Sequence, residues 1–184
     1  GNPVLPLGQG FMVRVNTPGQ PVPFTFSDAA RLTDFDSTAV VYRMAAARPL
    51  LQLSLDDAQG LGIDETTVYF ERGATAGTDA RFDALKAPTP PGARGQLVSY
   101  TSAGDAAAIS GLPPLTAPVT VPLSIRVPQP GTYALRLVQP PPATTLELLD
   151  TQTGRTSILR PSASYQVIIT PTCQQPYRLL LRVN

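Results

Sequence analysis

The sequence predicts an all-β protein, an antiparallel β-sandwich of jelly-roll or Ig-like kind. Two observations carry that prediction. In residues 117–138, Val119, Val121, Leu123, Ile125 and Val127 share one parity, and after a Pro-Gln-Pro-Gly break Tyr133, Leu135 and Leu137 do the same. Alternation of period two, broken by Pro and Gly, is the pattern of half-buried antiparallel strands. The 21 prolines and 14 glycines among 184 residues are spread between apolar runs. That spacing reads as loop and edge punctuation, not as collagen or low complexity. No segment of 3.6-residue periodicity is long enough for a substantial helix, and no exact internal repeat is present.

Each element follows from the same reasoning. Gly10–Val15 and Pro23–Phe26 read as short strands around the turn-rich Asn16–Gln20, and Ser27–Leu32 as a helical turn capped by Ser27 or Asp28. Val40–Met44 and Leu50–Leu55 follow; in the second, Leu51, Leu53 and Leu55 alternate with Gln52 and Ser54. Thr66–Glu71 is a strand with Val68 and Phe70 inward. Gly73–Gly95 is a long Gly-, Pro- and Ala-rich connection, and Gln96–Thr101 and Ala106–Ser110 pair around Ser102–Asp105. Beyond Gly111–Leu115 the expected strands are longer: Val119–Val127, Thr132–Val138, Thr145–Asp150, Thr156–Leu159, Ser164–Thr170 and Tyr177–Val183. Asp150–Gly154 joins two of them as a bulged hairpin, with Gly154 in the positive-φ position.

The change of strand length at the Pro-Pro break predicts two small β-domains, 1–112 sandwich-like and 113–184 Ig-like. Shared parity predicts a C-terminal core of Leu123, Ile125, Tyr133, Leu135, Leu137, Leu146, Leu148, Val167, Ile169, Leu179 and Leu181.

Composition narrows the function classes. Hydrophobic residues make up 42%, enough for a packed core. Charged residues make up 15%, below the usual fraction of about a quarter. A net charge of +1 lacks the basic excess that nucleic acid or an anionic membrane surface requires, so no nucleic-acid partner is expected. No run reaches the roughly 18 apolar residues of a membrane span, so no transmembrane segment is expected. The chain opens on Gly1 without a charged-then-apolar leader, which reads as a processed product or a piece of a longer protein.

Chemistry-bearing residues are sparse. There is no His and no Trp, and Cys173 is single, so it has no intrachain disulfide partner and reads as a small buried hydrophobe, with a free thiol or a pair with another chain as the alternatives. Ser99, Ser102 and Ser110 lack the His of a catalytic triad, and no G-x-S-x-G elbow is present. Gly8 and Gly10 have no third Gly and no following helix, so they are not a dinucleotide fingerprint. Asp56, Asp57, Asp64 and Glu65 flank the turn Ala58–Ile63; oxygen ligands on a loop suit Ca²⁺, but this spacing matches no EF-hand, and solvated loop acids are the simpler reading. Asp79 and Asp83 could be set against a glycosidic bond, yet a Gly-rich connection better suits capping of backbone N–H groups. Tyr42, Tyr69, Tyr100, Tyr133, Tyr165 and Tyr177 are candidates for a sugar platform, weighed against half-buried strand tyrosines with the hydroxyl at the rim. No catalytic residue, metal ligand or cofactor is therefore expected.

Three blocks carry a resemblance. Gly1-Asn-Pro3 with Gly8-Gln-Gly-Phe-Met-Val13 resembles the "GNP…GQGFFV" blocks of large secreted Bacteroidetes surface proteins. Gly73–Lys86 resembles their "GAT.GFD..YDA.K" block, and Leu146–Leu159 followed by Tyr165 resembles their "L.D..TG…L…Y.F" block. The resemblance covers most of the chain. It implies a β-rich region lying before a type IX secretion sorting domain that is removed on export, and it implies no catalytic residues. The spacer from Asn2-Pro3 to Gly8 is shorter than in that family, so the first strand reads as trimmed or unusual.

Together these readings lead to a non-catalytic, extracellular or cell-surface module with a structural or adhesive role in a self-associating, filament-like assembly. The alternative is a carbohydrate-binding accessory module of a secreted enzyme, with a polysaccharide partner. Association is expected through edge strands at a chain terminus, residues 1–15 or 177–184.

Overall fold

The computed structural model describes residues 48–183 apart from Pro90, Ser162 and residues 170–176, together with Val13, Gly19, Pro21, Pro23–Thr25 and Ser27. The contacts divide the chain into Gly1–Ala47 and Arg48–Asn184. The strands expected over Gly10–Val15 and Val40–Met44, the turn Ser27–Leu32, Tyr42 and Cys173 lie wholly or mostly outside the described residues. Of Pro23–Phe26, the described Pro23, Phe24 and Thr25 are not in a strand.

The second unit is all β among its described residues. Its strands are β1 (Leu50–Asp56), β2 (Gly62–Phe70), β3 (Ala84–Leu85), β4 (Gln96–Tyr100), β5 (Ala106–Leu112), β6 (Val119–Arg126), β7 (Gly131–Gln139), β8 (Leu146–Asp150), β9 (Arg155–Leu159), β10 (Ser164–Ile169) and β11 (Tyr177–Val183). They form one sheet in the order β10-β7-β1-β2-β5-β4-β6-β11-β8-β9, with β3 added beside β5. The sheet curls until its two ends, β9 and β10, approach one another, so it is nearly closed into a barrel. No described helix is long and apolar enough to cross a membrane.

Three expectations need correction. The sheet is mixed, not purely antiparallel: β2 runs parallel to β5, with Thr67 opposite Ile109 and Phe70 opposite Leu112. Parallel neighbours need a long connection, and the segment from Glu71 to Asp105, which carries β3 and β4, supplies one. The boundary between 1–112 and 113–184 does not divide the strands. β1 pairs with β7 and β4 with β6, so strands from both sides of Gly111–Leu115 alternate in one sheet. Nor is Tyr177–Val183 a free edge, because β11 is hydrogen-bonded to β6 on one side and β8 on the other.

Alternation sets the core. Leu51, Leu53 and Leu55 of β1 point inward with Val68 and Phe70 of β2, and Tyr133, Leu135 and Leu137 of β7 continue the layer. Val121, Leu123 and Ile125 of β6, Leu146 and Leu148 of β8 and Val167 of β10 join the same cluster. Ile169 packs against it partly buried. The side chains of Leu179 and Leu181 lie outside the described residues. Fully burying a Leu or Val side chain contributes about 1.5–3 kcal/mol, so a cluster this size is the main stabilising feature of the sheet.

Two glycines are required by geometry. Gly154 has φ +69° and its N–H donates to the Asp150 carbonyl at 2.8 Å, closing the β8–β9 turn as its sequence position predicts. Gly111 sits where a Cβ would lie 2.7 Å from Phe82 Cβ and 3.1 Å from the Phe82 carbonyl oxygen. The Gly73–Lys86 connection is thereby pressed directly onto β5.

Candidate functional site

Two features of the second unit present unmatched chemistry. The first is the seam between the sheet ends. β9 pairs only with β8, and β10 only with β7, among the described residues. The two strands are joined by the turn at Arg160, whose carbonyl accepts the Ala163 N–H at 3.1 Å. The cleft between them is about 340 Å³ and is lined by Arg155, Ile158, Tyr165 and Gln166, among others. On the outer face, Ile158 is 54% and Ile168 65% exposed. The inner face is tied across the gap: Asp150, buried at the end of β8, accepts the Tyr165 hydroxyl on Oδ2 at 3.1 Å. Its Oδ1 accepts the backbone N–H groups of Gln152 at 2.9 Å and Thr153 at 3.1 Å. Burial, then the Asp150 charge and hydrogen bond, hold the Tyr165 hydroxyl above its usual pKa of 10.0; Arg155 and Thr153 pull the other way.

The second feature is a polar groove of about 590 Å³ on the outer face of β1 and β2. The register builds it. Ser54 lies opposite Glu65 of β2 on one side and Arg136 of β7 on the other, and Asp56 lies opposite Gly62 and Ala134. Gly62 presents no side chain beside Asp56: a Cβ there would stand 3.9 Å from Asp56 Oδ1. Asp56 accepts Arg136 Nε at 3.0 Å and Nη2 at 3.4 Å. Asp64 accepts Lys86 Nζ at 2.6 Å and the Leu97 N–H at 2.7 Å. Lys86 Nζ also donates to the Glu65 carbonyl at 3.1 Å, while the Glu65 carboxylate accepts Gln52 Nε2 at 2.8 Å. Ser54 is 2% exposed, and its Oγ, itself shut off from solvent, has no hydrogen-bond partner among the described residues; the Ser124 Oγ on β6 is in the same state.

The acidic cluster seen in the sequence is therefore resolved into separate roles. Asp57 caps its own turn, accepting the N–H groups of Gln59 at 3.0 Å and Leu61 at 2.8 Å, and pairs with Arg94. Asp56, Asp64 and Glu65 share the groove. Asp79 accepts Thr75 N–H at 2.7 Å and Thr75 Oγ1 at 2.8 Å. Asp83 accepts the Asp79 N–H at 2.6 Å and the Gly111 N–H at 2.8 Å, so both serve the backbone of the connection.

The serines and tyrosines are likewise engaged locally. Ser99 Oγ lies 3.2 Å from each of Thr66 Oγ1, Ser110 Oγ and the Ala107 carbonyl, a buried network whose members satisfy one another. The exposed Ser102 donates its N–H to the Ala76 carbonyl at 2.7 Å. Tyr69 donates to the Phe82 carbonyl, Tyr100 accepts from Arg126, and Tyr133 donates to the Gln129 carbonyl. These rings belong to different strands and partners and do not assemble a platform. The Tyr177 side chain and the Gly8–Gly10 segment lie outside the described residues.

Sequence reasoning missed Ser54, Lys86 and Arg136. The signal for Ser54 was its parity opposite the β1 leucines, which reads as solvent-facing. Arg136 is 80 residues from Asp56 in the chain, so no local pattern links them. Comparison with protein-family models, with curated proteins and with solved structures finds no match to this chain.

Proposed function

We propose that this chain is a non-catalytic structural or adhesive module, extracellular or at the cell surface, that associates with other copies or surface proteins by strand pairing at its sheet ends. One observation carries the reading. Among the described residues the outer edges of β9 and β10 take no ladder, and they flank a seam with Ile158 and Ile168 exposed beside it. Unpaired N–H and C=O groups along a strand edge are a template for a further strand, and natural proteins usually block such edges with charge or Pro. Neither β9 nor β10 contains Pro, and β10 contains no charge. The edge thus moves from the terminal strand Tyr177–Val183 to β9 and β10. Residues 1–15 stay part of the proposal on sequence grounds alone.

The resemblance of three blocks to those of secreted Bacteroidetes surface proteins is what supports the extracellular placement and the link to type IX secretion. The shared core supports reading the curled sheet as two facing layers, a sandwich of jelly-roll or Ig-like kind, since Leu53 and Leu123 come from opposite stretches of the strand order and enter one cluster.

Sedimentation velocity and electron microscopy of the full chain across concentration test the proposal. The wild type should form oligomers or filaments. Ile158→Lys with Ile168→Lys, which charges both edges on the exposed face, should leave the fold intact and abolish association. A wild type that stays monomeric at high concentration, or a double variant that assembles unchanged, rejects it.

A further inference from the structure

We infer that the seam between β9 and β10 receives an extended, acidic strand of a different protein. The inference rests on the strand pairing proposed above and names its partner. Among the described residues, β9 and β10 each leave one edge without a ladder, and a cleft of about 340 Å³ separates them. N–H and C=O groups along such an edge accept an added strand, and the side chains beside the edge choose which strand.

Charge makes that choice. Arg155 and Arg160 both line the cleft, and both are exposed. Neither guanidinium has a hydrogen bond or an ion pair among the described residues. Arg48, Lys86, Arg94, Arg136 and Arg182, by contrast, each stand against a carboxylate. No carboxylate lines the cleft; Asp150, behind Tyr165, is buried and already accepts from the tyrosine and the turn. The whole chain carries a net charge of only +1, so this pair is not part of a general basic surface. A carboxylate on an incoming strand would take a charge-assisted, bidentate hydrogen bond from either guanidinium.

The same two residues reject a second copy of β9. Two β9 strands laid antiparallel and fully overlapped put Arg155 of one beside Arg160 of the other, and like charges facing across strands are destabilising. Nor do the described strands supply the acid. Those that carry acids are β1, β2 and β8, and each is hydrogen-bonded on both sides. Arg155 and Arg160 lie about 16 Å apart at the rise of an extended strand. The partner strand thus carries two acids at the same spacing, with β-branched residues between them to lie along the exposed Ile158.

Fluorescence anisotropy of a dye-labelled peptide added to the full chain tests the inference, because a short peptide reports binding to monomer and assembly alike. The probe is an end-capped peptide of alternating Thr and Val, with Asp at two positions spaced as Arg155 and Arg160 are. Two companions carry Asn or Lys in place of Asp, and a third keeps Asp but has every second backbone nitrogen methylated. The acidic peptide should bind. Arg155→Gln and Arg160→Gln, with unchanged thermal transitions, should each weaken it by about ten-fold, the usual effect of losing a charge-assisted hydrogen bond. The three companions should bind at least about ten-fold more weakly. Equal binding of the Asn peptide would overturn the acidic partner and leave edge pairing standing. Equal binding of the methylated peptide would show charge attraction without a strand and overturn the inference. Binding of no peptide would overturn it too, and the association state of the Ile158→Lys, Ile168→Lys variant then decides whether edge pairing survives. Self-association that the acidic peptide displaces would make the occupant a second copy and overturn the choice of a different protein.

Discussion

The Tyr165 hydroxyl donates to Asp150 Oδ2 at 3.1 Å, joining β10 to the end of β8 across a seam that no strand pairing closes among the described residues. The same carboxylate holds the β8–β9 turn through Gln152 and Thr153. One buried Asp therefore sets both the turn and the spacing of the two sheet ends.

Tyr165→Phe should destabilise the protein by about 1–2 kcal/mol near neutral pH, because a carboxylate with little access to water loses one of its donors. The effect should depend on pH. Burial and the Asp150 charge raise the folded pKa of Tyr165 above 10.0, so the folded state holds this proton more tightly than the unfolded chain does. The wild-type advantage over Tyr165→Phe should be whole below pH 10 and shrink as pH rises from there through the folded pKa. Urea unfolding of both proteins across that range checks it; a constant difference would contradict the assignment.

Gly111→Ala should cost about 1–3 kcal/mol. Its Cβ would meet Phe82 Cβ at 2.7 Å and Tyr69 Oη at 3.0 Å, and the Phe82 contacts cannot swing away as the end of a flexible chain can. The expected accompaniment is loss of the Tyr69–Phe82 hydrogen bond, now 2.7 Å, seen as faster amide exchange in the Gly73–Lys86 connection. Unchanged stability would show that the connection moves off β5 freely.

Leu135→Ala should cost about 2–5 kcal/mol, the range for a fully enclosed leucine. Leu135 is 0% exposed, and β7 sits between β1 and β10, so the surrounding strands have little freedom to collapse into the space. A loss below about 1 kcal/mol in chemical denaturation would place the side chain outside the packed core.

EDTA should leave the thermal transition where it is, and added Ca²⁺ should not raise it. Asp56, Asp57 and Asp64 are each bound to a different cation, Arg136, Arg94 and Lys86, and Glu65 to the Gln52 amide. Calcium needs six to eight oxygens around one point, typically including several free carboxylates. A drop of several degrees with EDTA, reversed by Ca²⁺, would show a site near Asp56–Glu65.

Strand positions were legible from parity. Tyr177–Val183 is β11 at both ends, and Gln96–Thr101 differs from β4 by one residue. The capping roles of Asp79 and Asp83 within their own connection and the positive φ of Gly154 were legible too, because they depend on neighbours a few residues away; the bond from the Gly111 N–H to Asp83, 28 residues apart, was not. The two-residue β3 was not, since Ala84–Leu85 has no length in which to alternate. Of the groove, only the acids could be suspected; Ser54 looked like an exposed strand residue.

What the sequence determined by itself is the set of strands and the face each buries. Side-chain alternation is a local property, and Leu51, Leu53 and Leu55 could not turn outward without exposing all three. The tertiary structure decided which strand lies beside which: β2 parallel to β5, β7 against β1, β11 enclosed between β6 and β8, and β9 and β10 at the ends. Backbone N–H and C=O groups are the same in every strand, so hydrogen bonding alone favours no partner. The order follows from which arrangement encloses all the apolar faces at once, and that is a property of the whole chain.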